Sequence, residues 1–178
     1  KTKVMSLAMV WSYFHSLYEN SAMPRHFVVI APNIIVFERL KMDFADGAVF
    51  HSDPLIPPEW KADFDLSFVM QDDAGGGASQ GTLYLTNIHR LYERSSRGVV
   101  REDTPSWAGP PVARAQALKV GEALRQRIAS HPSIMVMNDE AHHLHDPDSA
   151  WNEALNTLNQ QSRTHGNKGV VMQLDFTA

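Results

Sequence analysis

The sequence predicts an α/β domain: a parallel sheet with helices on both faces. Three observations predict it. Short, nearly continuous apolar runs at 26–31, 134–138 and 170–175 have the length and composition of strands buried on both faces. Longer segments with helical spacing lie between such runs, and strands separated by helices imply right-handed crossovers and a parallel sheet. The run Ile134-Met135-Val136-Met137-Asn138 leads directly into Asp139-Glu140-Ala141-His142, bringing two adjacent carboxylates out at the C-terminal edge of the sheet, where open α/β folds bind ligands.

The elements follow in order. Residues 3–18 read as a helix with apolar side chains on most faces, Trp11, Tyr13, Phe14 and Tyr18 among them, so deep burial is expected. A buried strand at 26–31 and a helix at 34–42 come next. Further strands are expected at 64–70, 83–86, 134–138 and 170–175. Residues 112–129 form a long amphipathic helix ended by His131-Pro132, since proline can neither donate a hydrogen bond nor continue the helix. Trp151, Leu155 and Leu158 stand at i, i+4 and i+7 of a last helix and should face the core, with Asp148 or Ser149 as its N-cap. Two stretches break the alternation. Residues 71–81 are glycine-rich but lack the Gly-Lys-Ser/Thr ending of a phosphate cradle, so a flexible loop between strands is expected. Residues 94–111 are rich in Ser, Arg, Gly and Pro and read as a flexible surface loop, with Arg97, Arg101 and Trp107 as its possible DNA contacts.

Composition narrows the function classes. The 178 residues suit one domain spanning 1–178, and 43% hydrophobic residues is ordinary for a globular chain. No apolar run approaches the ~18 to 20 residues needed to cross a bilayer. The absence of cysteine excludes disulfides and thiolate zinc sites and fits a cytoplasmic location. A net charge of −4 is not the footprint of a protein that coats nucleic acid, so any DNA contact should be local, made by helix N-termini and backbone amides. His142, His143, His145 and Asp146 crowd together, but they lack the i, i+4 order of a helical zinc site.

Two adjacent carboxylates can divide the work of nucleoside triphosphate hydrolysis, one holding Mg²⁺ and the other orienting a water. The other reading is that Asp139-Glu140 caps the next helix, where acidic groups are favoured. At the opposite end of the chain, Lys1-Thr2 heads an apolar helical pattern, as does the tail of G-x-x-x-x-G-K-[ST], whose lysine reaches the phosphates and whose hydroxyl ligates Mg²⁺.

With these motifs in view, the chain resembles the first RecA-like lobe of superfamily-two DEAH-box helicases and translocases, and most closely the Res subunit of type III restriction enzymes. Its motifs fall in family order. Lys1-Thr2 matches the end of motif I. Val28-Val29-Ile30-Ala31-Pro32-Asn33 and the helix after it match motif Ia, and Thr82 to Leu91 matches motif Ib. Asp139 to His142 is motif II, and Gln173 to Ala178 reads as the start of motif III. The resemblance implies a RecA-like P-loop lobe lacking the strand before the P-loop, cut within functional motifs at both ends, and inactive by itself.

The resemblance also implies roles. ATP and Mg²⁺ are the expected cofactors. Lys1 would contact the β- and γ-phosphates, and Thr2 with Asp139 would hold the metal. Glu140 would be the general base, and His142 would couple nucleotide state to Thr177. Pro32, Asn33, Thr86 and Asn87 would grip strand phosphates, although Asn33 and Asn87 read equally well as helix caps. The expected partners are double-stranded DNA, a second RecA-like lobe and a nuclease domain of the same parent chain, and a modification (methyltransferase) subunit, with no membrane. Two other classes remain open on the residues alone: a P-loop ATPase that acts on protein, and a non-enzymatic α/β binding domain.

Overall fold

The structure is a computed structural model that describes residues 1–19, 22–52, 54–70, 73, 78–92, 111–141 and 150–177. The described elements are α1 (Thr2–Tyr18), β1 (His26–Ala31), α2 (Ile34–Phe44), α3 (Ala48–Ser52), β2 (Leu66–Met70), β3 (Gly81–Asn87), α4 (Ile88–Tyr92), α5 (Pro111–Ala129), β4 (Ile134–Asp139), α6 (Ala150–Thr164) and β5 (Val170–Phe176), with short 3₁₀ turns at Ala45–Gly47 and Pro58–Asp63.

The strands form one five-stranded sheet in the order β2-β3-β1-β4-β5. Every pairing is parallel. Successive side chains of a strand point to opposite faces, so each strand feeds two cores. Phe27, Val29, Met135 and Met137 pack with Met5, Met9 and Tyr13 of α1, Phe37 and Leu40 of α2 and Val49 of α3. The alternate residues Val28, Ile30, Tyr84 and Val136 pack with Ile88, Leu124, Ile128, Trp151 and Leu158 of α4, α5 and α6. The expected parallel sheet with helices on both faces is therefore present, and Trp151, Leu155 and Leu158 are buried as the spacing predicts.

Differences lie in the detail. α1 is not buried on most faces: Met5, Met9, Tyr13 and Phe14 face the sheet, whereas Trp11 and Tyr18 are about half exposed, at 52% and 49%. α1 rests on the sheet by one face only, and its apolar outer stripe meets solvent. β2 begins at Leu66 instead of 64: the 3₁₀ turn runs to Asp63, and Phe64 caps it, donating its backbone N–H to the Lys61 carbonyl. α6 closes through Gly166, whose φ of 77° is a backbone region open to glycine at little cost. The Asp148 or Ser149 cap, most of the 71–81 stretch and nearly all of 94–111 lie outside the described residues.

Register is what positions the site. Ala31 pairs with Asn87, Asn138 with Asp175 and Asp139 with Phe176. The strand ends carrying Pro32-Asn33, Asn87, Asp139-Glu140 and Thr177 therefore share the C-terminal edge of the sheet, as the binding-edge rule for open α/β sheets expects.

Candidate nucleotide site

Asp139 is the last residue of β4, the strand between β1 and β5, and its side chain is fully buried. Glu140, the next residue, has φ 54°, the left-handed region that residues with a Cβ avoid. This turn aims the Glu140 carboxylate back over the sheet edge toward the start of α1. There the Lys1 ammonium donates to Glu140 Oε1 and lies 3.4 Å from Asp139 Oδ1. The bond to Glu140, helped by the Asp139 charge, holds the Lys1 pKa above its ordinary range, so the ammonium is a lasting cation at neutral pH. Lys1 and Glu140 stand 139 positions apart in the sequence, yet meet in space.

Asp139 has further partners. Its Oδ1 accepts from the Glu140 backbone N–H at 3.0 Å, and its Oδ2 accepts from Arg39 Nη2 of α2 at 2.5 Å. The sequence-based expectation set Thr2 beside Asp139 as its partner on a metal. In the structure the Thr2 hydroxyl donates to Asp43 Oδ2 of α2 at 2.8 Å, beside a cavity of about 370 Å³ that Thr2, Lys3, Asp43 and Ser52 help to line. Arg39 and Asp43 were not singled out from the sequence. Their only trace in it is spacing: they stand at i and i+4 of the helix that follows Pro32-Asn33, so both reach toward the same region.

The remaining expected residues are distributed along the same edge. Asn33 is the N-cap of α2, and its side chain accepts from Val36 N at 3.0 Å. Thr86 is fully buried and its hydroxyl donates to the Asn87 carbonyl, so that hydroxyl does not face solvent. The Asn87 side chain accepts from His89 N at 2.9 Å, capping the short α4. Asn33 and Asn87 both therefore cap helices, one of the two roles the sequence allowed. Pro32 is half-buried, and Thr177 is exposed just beyond β5. His142 lies outside the described residues, as do His143, His145 and Asp146.

Among the described residues, no three His, Cys, Asp or Glu side chains gather into a protein-only metal cage. The expected ligands, the Asp139 carboxylate and the Thr2 hydroxyl, are oxygen donors of the kind that suits a hard cation such as Mg²⁺, which takes few protein ligands and relies on water and substrate phosphates for the rest. The donor set thus fits Mg²⁺ better than zinc.

A model of the family of type III restriction enzyme res subunits matches residues 1–178. The chain belongs to that family. No curated protein and no solved structure matches it. Membership makes this res-subunit domain a helicase-like P-loop domain, and its all-parallel sheet is the RecA-like α/β architecture of such a domain. Among the described residues of the res-subunit domain, no helix is long and apolar enough to cross a membrane.

Proposed function

We propose that the chain is the ATP-binding and ATP-hydrolysing lobe of a DNA translocase, the motor of a type III restriction endonuclease, acting beside a second RecA-like lobe and a nuclease domain of one parent protein, with a modification subunit as a further partner. The observation that carries this reading is the meeting of Lys1, Asp139 and Glu140 at the C-terminal sheet edge. A cation and two carboxylates far apart in the sequence there stand together, the charges that binding and hydrolysing a polyphosphate call for.

In this reading the Lys1 ammonium exchanges its carboxylate partners for the β- and γ-phosphate oxygens. Asp139, through a water, and the Thr2 oxygen would hold Mg²⁺, which would neutralise charge on the phosphates. Glu140 accepts a proton from the attacking water, a role worth about 10²- to 10⁴-fold in rate. His142 and Thr177 couple the nucleotide state to the second lobe. Pro32, Asn33, Thr86 and Asn87 lie along the edge where DNA phosphates would be gripped, and the buried Thr86 hydroxyl is not among the donors that face them.

The test is nucleotide binding and phosphate release by the intact parent protein, with and without double-stranded DNA. Lys1→Ala should lose nucleotide binding, and wild-type turnover should rise with DNA. Hydrolysis indifferent to DNA would favour an ATPase acting on protein, and no nucleotide binding at all would favour a non-enzymatic α/β binding domain.

A further inference from the structure

We infer that α2 controls metal loading of the site: Arg39 competes with the cation for Asp139, and Asp43, one turn further along, readies the Thr2 hydroxyl as a ligand. This rests on the proposed function, since Asp139 and Thr2 are its metal ligands. The roles of Arg39 and Asp43 come from their contacts alone.

Asp139 cannot move. It ends a central strand, its side chain is fully buried, and its Oδ1 already accepts the Glu140 amide and faces Lys1. A carboxylate has about four lone-pair sites, and those on Oδ2 are the ones left for a metal-bound water. Arg39 takes that oxygen, with Nη2 at 2.5 Å. Arg39 itself can leave: its side chain is 51% exposed and stands on the solvent side of α2. A guanidinium and a divalent cation repel each other and seek the same oxygen, so one displaces the other. With Lys1 facing Oδ1, the arginine supplies the second counter-charge of a buried carboxylate, at the oxygen that Lys1 does not reach.

Asp43 acts in the opposite sense. A hydroxyl has one proton to donate and two lone pairs to offer. Because Thr2 Oγ1 donates its proton to Asp43 Oδ2 at 2.8 Å, its lone pairs are turned away from Asp43 and open to a cation. A carboxylate behind a metal ligand fixes the orientation of that ligand and raises its basicity. Two residues of one helix thus act with opposite sign on the two ends of one metal site, which a merely structural pair would not do.

The experiment measures Mn²⁺ affinity of the intact parent protein by electron paramagnetic resonance, with ADP present, beside thermal melts of each variant. Arg39→Gln should tighten Mn²⁺ binding about tenfold, the scale of a lost charge-assisted competitor. Arg39→Lys keeps the charge but carries it on a more strongly hydrated ammonium in place of the Nη2 donor, and its affinity should fall between wild type and Arg39→Gln. Asp43→Asn should weaken binding at least tenfold, as loss of a carboxylate behind a ligand typically does. Unchanged or weaker affinity in Arg39→Gln, or unchanged affinity in Asp43→Asn, in proteins that still melt cooperatively, overturns the inference while leaving the proposed function standing. If the wild-type protein with ADP binds no Mn²⁺, the proposed function fails first and this inference fails with it.

Discussion

Asn138 ties three elements together beside the candidate site: its Nδ2 donates to Asp175 Oδ1 on β5 at 2.6 Å, and its Oδ1 accepts from Trp151 Nε1 of α6 at 2.9 Å. The residue is fully buried and immediately precedes Asp139. A buried amide satisfied on both sides fixes the separation of β4, β5 and α6, and so fixes where the Asp139 carboxylate stands. Asn138→Ala leaves the buried Trp151 indole N–H without its partner and opens a cavity, a loss of about 2–4 kcal/mol, whereas Asp175 Oδ1 keeps its bond from Gln173 Nε2. Trp151→Phe removes one bond and less volume, for about 1–2 kcal/mol. Urea unfolding of the two variants checks both the values and their order.

His26 and His131 stack with ring centroids 3.7 Å apart, and Tyr84 Oη lies 2.7 Å from His131 Nε2. Burial, then the neighbouring His131 and Arg25, brings the His26 pKa down to about 3, and burial lowers that of His131. The His26 ring is therefore neutral in the fold at pH values where a free histidine, with pKa ~6.5, has begun to charge, and burial makes His131 charge less readily than a free ring. The unfolded chain binds protons that the folded chain refuses, so stability is complete above pH ~6.5 and falls as pH drops from there toward about 3, by up to about 1.4 kcal/mol per unit for each fully titrating ring. Partial exposure of His26 reduces that slope. His26→Phe keeps a stacked ring without the titration and should flatten the decline between pH 6.5 and 5, above the range where carboxylates dominate. Unfolding midpoints across that window decide it, and an unchanged slope would remove His26 from this role.

The strands were legible because a parallel sheet buried on both faces leaves continuous apolar runs, and 26–31 and 134–138 match β1 and β4 to within a residue. Asp139 and Glu140 were legible for the same reason, as the point where such a run turns polar. The exposed face of α1 was not. A helix apolar on most faces reads as buried, and nothing in the local pattern says that Trp11 and Tyr18 face away from the sheet. Arg39 was illegible as a partner of Asp139 because the two are 100 positions apart, and an ion pair between elements leaves no periodic trace. The left-handed turn at Glu140 was equally hidden, since the sequence places neither glycine nor asparagine there to announce it.

Asn33 offers a separation of cap from grip. As the N-cap of α2 it accepts from Val36 N, and Asn33→Ala should cost about 1 kcal/mol of stability. Asn33→Asp keeps the cap and should restore that stability, yet its negative charge repels a phosphate. If this edge grips DNA, Asn33→Asp in the parent protein should weaken binding equally on unrelated sequences, because backbone contacts carry no base information. Unaltered DNA affinity in that variant would leave Asn33 as a cap alone.

Glu140 carries the sharpest test, because its backbone and its side chain make opposite predictions. Its φ of 54° is strained for any residue with a Cβ, and such outliers persist where the surrounding fold imposes them, often at functional sites. Glu140→Gln keeps the Cβ, and so the strain, while removing the base. It should bind nucleotide normally and lose about 10²- to 10⁴-fold in phosphate release. Glu140→Gly removes both base and strain. The relief is offset in part by the greater freedom of glycine in the unfolded chain, which leaves a net gain of about 0.5–1 kcal/mol in unfolding free energy. The lost contact with Lys1 subtracts little, since ion pairs near the surface contribute weakly. A variant that is more stable and inactive, beside one of unchanged stability and equally inactive, is the expected pair. Turnover within a few fold of wild type in Glu140→Gln would take Glu140 out of the chemistry, and a destabilised Glu140→Gly would mean that its side-chain contacts outweigh the backbone strain.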